Sequence, residues 1–79
     1  MAIFGREIIG RQVFDQTGQE LGILVDLHFD LFSGLITEFI VKVNDDIDAQ
    51  KLPFECDYNI VKIPTEQVNS VAKEIRLSV

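Results

Sequence analysis

The stretch DQTGQELGILVDLHFDLFSGLITEFIVKV, Asp15 to Val43, decides how this chain is read, because it holds two apolar runs, each bounded by a glycine turn. In the first run Leu21, Ile23, Val25, Leu27 and Phe29 fall at every second position. Gly22, Leu24, Asp26, His28 and Asp30 fall between them, which is the period of a half-buried strand. The second run, Leu35 to Val43, alternates in the same way, with Leu35, Thr37, Phe39, Val41 and Val43 on one side and Ile36, Glu38, Ile40 and Lys42 on the other. Both of its faces are partly apolar, as in a strand covered on both sides or lying at a subunit contact. The joining residues Leu31-Phe32-Ser33-Gly34 contain the glycine that a tight or bulged hairpin needs for a positive backbone angle.

Outward from this hairpin, Ile8 to Phe14 is expected to form a preceding strand closed by the turn Asp15-Gln16-Thr17-Gly18. Asp suits the first position of such a turn and Gly the last. Asn44-Asp45-Asp46 reads as a turn, and residues 44–58 as a long loop with at most one helical turn. Asn59 to Ile63 reads as a short strand stopped by Pro64, which withholds a backbone donor. Thr65 is a candidate helix cap, and Glu66 to Ala72 a single helical turn packed by Val68 and Val71. Glu74 to Val79 reads as a closing strand. The expectation is an all-β fold: a small barrel of five to six short antiparallel strands with one short helical turn, formed by residues 1–79 as a single domain.

Composition bounds the function. A chain of 79 residues buries only about 60% of the surface its unfolded form exposes, so it builds one core and leaves apolar surface for a partner. Seven Lys and Arg against 13 Asp and Glu give a net charge of −6, which repels phosphate backbones and argues against direct nucleic-acid binding. The single Cys56 cannot form an internal disulfide, as expected of a protein made in a reducing cytoplasm. Met1 to Gly10 does not read as a signal peptide. No apolar run approaches the roughly 20 residues needed to span a bilayer, so membrane insertion is not expected.

These residues resemble the PRC-barrel family. Its first-half pattern is matched here by Gly10, Val13, Asp15, Gly18, Gly22, Val25-Asp26, Phe29-Asp30, Gly34 and Ile36, and its second half by Ile63-Pro64, Val68 and the final alternation. Ala72-Lys73 departs from the Gly-Asp turn the family often places there. The resemblance implies a stand-alone domain of archaeal type that acts as a protein-interaction module, with an adaptor tied to cell division as the leading reading and a ribosome-assembly factor binding a ribosomal protein as the runner-up.

Each chemistry-bearing group has a structural alternative. Asp15, Gly18, Gly22, Asp30, Gly34 and Pro64 are read as turn and curvature residues: turn aspartates bond backbone donors two residues on, and a glycine within a strand marks a bend or a close backbone approach. Asp26, His28 and Asp30 share a strand face and could offer oxygen and nitrogen ligands to a divalent metal. Neighbours along one face stand about 7 Å apart, so a solvated polar face is the preferred reading and no cofactor is expected. Asp45, Asp46 and Asp48 lack the glycine and the terminal bidentate Glu of a calcium loop. Cys56 with His28 as base has no recognised nucleophile context, and no enzyme activity is expected. The candidate contact residues are Leu24, Leu31, Phe32, Ile36 and Ile40, either core or interface. If several are exposed, a symmetric homodimer follows.

Overall fold

A computed structural model describes residues 5–79; the reading of Met1 to Gly10 as no signal peptide falls partly outside these residues. Within the described residues the chain runs through one helical turn, α1 (Gly5–Ile8), and seven strands: β1 (Gln12–Phe14), β2 (Glu20–Phe29), β3 (Ile36–Val43), β4 (Glu55–Asp57), β5 (Ile60–Pro64), β6 (Val68–Val71) and β7 (Ile75–Leu77). They form one sheet in the order β4-β5-β3-β2-β1-β7-β6.

The connection between β5 and β6 shows how far this sheet is curled. Laid flat, these strands would be five steps apart, roughly 24 Å at the usual strand spacing. Yet only Thr65–Gln67, a 3-10 turn, joins Pro64 to Val68, a span of at most about 14 Å. Only a sheet rolled into a barrel lets the chain make that step. The Thr65 hydroxyl donates to the Ile36 carbonyl at 2.7 Å, tying the connection to β3.

Rolling is achieved by extra residues. Leu21 is the extra residue against β1, Val25 and Thr37 are extra in the β2–β3 ladder, and Asn69 is extra against β7. Each such bulge bends its strand and increases the local twist. Gly22 lets the backbones close in: a Cβ at this position would lie 2.0 Å from the Lys42 carbonyl oxygen. The close-approach reading of Gly22 therefore holds.

The core fills the barrel with Val13, Leu24, Val41, Val61, Ile63 and Ile75 among its fully buried side chains. Ile36, Phe54, Cys56 and Val68 pack against it partly buried.

Several expectations need correction. The first strand begins at Gln12 rather than Ile8, because Ile8 belongs to α1 and Gly10, at φ +93°, turns the chain before β1. The expected single alternation of β2 fails because its register shifts at Leu21, at Val25 and again between His28 and Phe29. Gly22 and Leu24 are buried after the first shift and Leu27 after the second, while Ile23, Val25 and Phe29 are exposed. The Ile47–Asp57 stretch is a 3-10 turn at Ala49–Lys51 followed by β4, a strand too short and too charged to alternate visibly. Thr65 is no side-chain cap, and Val68 and Val71 lie in β6, because Val68 pairs with Leu77 and Val71 with Ile75. Among the described residues the strands number seven, not five or six, and β1 pairs with β7 in parallel, so the sheet is mixed rather than wholly antiparallel.

Candidate functional site: the tip of the β2–β3 hairpin

Asp30 builds this tip. Its carboxylate Oδ1 accepts from the Phe32 amide at 2.8 Å and from the Ser33 amide at 3.4 Å. Its own amide donates to the Leu35 carbonyl and its carbonyl accepts from Gly34, both at 2.8 Å. Gly34 takes φ +73°, a conformation L side chains disfavour, and the Ser33 hydroxyl oxygen accepts from the Leu35 amide at 3.2 Å. The amides from Phe32 to Leu35 thus all find acceptors within the turn itself, while its apolar side chains stay in solvent. Phe32 is 102% exposed and Leu31 96%; Leu35 and Phe29 are exposed beside them. Exposed Leu or Phe is ordinary when single. Here four such side chains fall within the seven residues Phe29–Leu35 around one hydrogen-bonded turn, and an apolar knob of this kind marks a contact site.

The five contact candidates separate accordingly. Leu31 and Phe32 form the knob. Leu24 is 0% exposed and Ile40 is also buried, so neither is available to a partner, and Ile36 is half-buried against the core. Sequence reasoning missed Leu35 and Phe29 as contact residues. Phe29 belongs to the same alternating run as Leu21 and Leu27, but a second register shift, between His28 and Phe29, leaves it exposed at the end of the strand; Leu35 follows Gly34 directly, which was the available signal.

Asp26, His28 and Asp30 do not converge. Asp26 accepts from the Leu27 amide at 2.8 Å, His28 Nδ1 lies 3.2 Å from Glu38 Oε1 on the neighbouring strand, and Asp30 serves the turn. The His28–Glu38 pair is solvent-exposed, where such pairs add little stability. Among the described residues, no group of three His, Cys, Asp or Glu side chains is placed to hold a metal ion. Cys56 packs against the core whereas His28 stands exposed on the outside of β2, so the structure does not bring them together as nucleophile and base.

At the other end of the hairpin, Asp15 organises its turn as expected. Its Oδ1 accepts from the Thr17 hydroxyl at 2.6 Å and from the Thr17 and Gln19 amides at 2.8 and 3.0 Å. The Thr17 hydroxyl above all, with these amides, holds the carboxyl below its ordinary value against an opposing effect of burial. A second apolar area lies on the outer surface of β2, where Ile23 and Val25 are partly exposed, as is Ile9 before β1. Ile23 is flanked by Gln12 and Lys42 on the adjacent strands. Among the described residues no helix is long and apolar enough to cross a membrane.

Compared with known protein families, residues 1–78 match the PRC-barrel domain. No curated protein matches the chain.

Proposed function

Since this chain belongs to the PRC-barrel family, we propose that it is a non-catalytic adaptor domain that grips a partner protein through the Leu31–Phe32 tip, in the setting of cell division. The observation that carries this reading is Phe32, fully exposed on a turn whose amides from Phe32 to Leu35 already have acceptors. An ordered apolar knob loses little conformational freedom on docking, which favours affinity, and aromatic residues are enriched where binding energy concentrates.

The companion proposal is a homodimer formed through the outer surface of β2. Ile23 there is bordered by one neutral and one basic residue, so an interface centred on Ile23 has no carboxylate at either flanking strand position.

Both parts are open to experiment. Wild-type and Phe32→Ser proteins, each checked for cooperative unfolding, would be used to recover partners from native extract. Recovery of division components by wild type and their loss with Phe32→Ser supports the adaptor reading. Identical recoveries overturn it, and a Phe32-dependent set of ribosomal proteins transfers the role to ribosome assembly. For the dimer, light scattering should give twice 9.0 kDa for wild type and a monomer mass for Val25→Asp; a monomer mass for wild type at all concentrations removes it.

A further inference from the structure

Resting on the reading of the tip as a contact site, we infer that its partner is a protein surface in which an apolar recess is bordered by Lys and Arg. The warrant is the charge around the knob. Between Gln12 and Val41 the sequence holds Asp15, Glu20, Asp26, Asp30 and Glu38 and not one Lys or Arg, so all seven basic residues of the chain lie outside this stretch. Asp26 and Asp30 lie exposed on β2 and at its end, and Glu38 faces them from β3 through its pairing with His28. The neighbouring β5 ends with Pro64 paired to Glu38, and Glu66 follows, exposed, in the turn tied to Ile36. The nearest basic groups by register are Arg11, beside Leu24, and Lys62, opposite Ile40. Arg11 is occupied: its guanidinium donates to the Ala72 carbonyl.

An apolar apex on a hairpin that carries carboxylates along one face, and no Lys or Arg between Gln12 and Val41, selects among occupants. A second copy meeting it tip to tip would bring Asp30 and Glu38 toward their equivalents, and like charges in juxtaposition are costly. An anionic lipid surface is repelled by the same carboxylates. A recess rimmed by Lys or Arg gains on both counts, because it buries Leu31 and Phe32 while steering the encounter electrostatically.

The test uses three probes against the full chain: a synthetic amphipathic helix with Leu on one face and Lys on the other, the same helix with Glu replacing Lys, and phosphatidylserine-containing vesicles. Fluorescence anisotropy should show that the Leu/Lys helix binds wild type, about tenfold more weakly to Phe32→Ser, and with little change to Tyr58→Asn, which removes an exposed aromatic outside the tip. Affinity should fall severalfold between low and high salt, and Glu38→Gln should reduce that salt dependence. Equal binding of the Leu/Glu helix, with Phe32 still required, overturns the charge inference and leaves the tip as a contact site. Binding of the Leu/Lys helix that is indifferent to Phe32→Ser overturns the tip reading itself. Phe32-dependent binding to the vesicles, or Phe32-dependent self-association of the wild type, replaces the basic recess by a membrane or a second copy.

Discussion

Asp15 and Gly22 show what single residues do in this barrel. The Asp15 carboxylate accepts from the Thr17 hydroxyl and nearby amides, and its folded pKa lies below the ordinary 3.8. A carboxyl depressed on folding contributes stability that is present above its unfolded pKa and is lost as pH falls through the lower folded value. Asp15→Asn is therefore expected to be less stable at pH 7, by under about 1 kcal/mol because solvent screens this turn. The difference should close on acidification below pH 3.8, as urea titrations at a series of pH values would show. Gly22→Ala should be far more severe. The added methyl meets backbone of β3, at the Lys42 carbonyl, which cannot yield as a flexible side chain would. A loss of about 2 kcal/mol or more is expected, read as a lowered urea midpoint.

At the scale of the element, β2 is a strand whose pattern changes partway. The extra residue Val25 puts Leu24 and Leu27, three apart, on the same interior face and leaves Val25 at the surface. Leu24→Ala should cost about 3 kcal/mol as a core truncation, whereas Val25→Thr should stay within about 0.5 kcal/mol. Had the uninterrupted alternation been correct, the order of these two effects would be reversed, so paired urea denaturation decides between the registers. Alternation made the strand itself legible in the sequence. The bulge was not, because an extra residue in a ladder is defined by the partner strand: Val25 differs from its neighbours only in lacking an opposite number on β3. The same holds for the tip. Asp30 and Gly34 announced the turn through chemistry local to them, but the exposure of Phe29 depended on how β2 met β3.

For the whole molecule, closure rests on β7, which the sequence reads as a closing strand, and on β6, which it reads as a helical turn. β7 links β6 to β1, the latter by the parallel pairs Val13 with Ile75 and Phe14 with Arg76, and it brings fully buried Ile75 into the core. Ile75→Ala should cost about 3 kcal/mol, a large share of what a domain this small possesses. Because the β5–β6 connection spans the barrel in three residues, loss should be global: amides of β1, β3 and β7 should all exchange faster in the variant, rather than those of β7 alone.

The β class, the central hairpin, the two aspartate-built turns, the close approach at Gly22 and the family are legible along the chain, because they follow from period, turn chemistry and glycine, all of which act within a few residues. Which apolar residues are buried, the parallel run of β1 and β7 and the strand at β6 emerge only in the folded sheet. Those outcomes depend on pairings between residues far apart in the chain, and on the curl that four extra residues impose. The same curl buries Leu24 and leaves Leu31 and Phe32 outside as a knob, so the choice of contact surface belongs to the rolled sheet rather than to hydrophobicity along the chain.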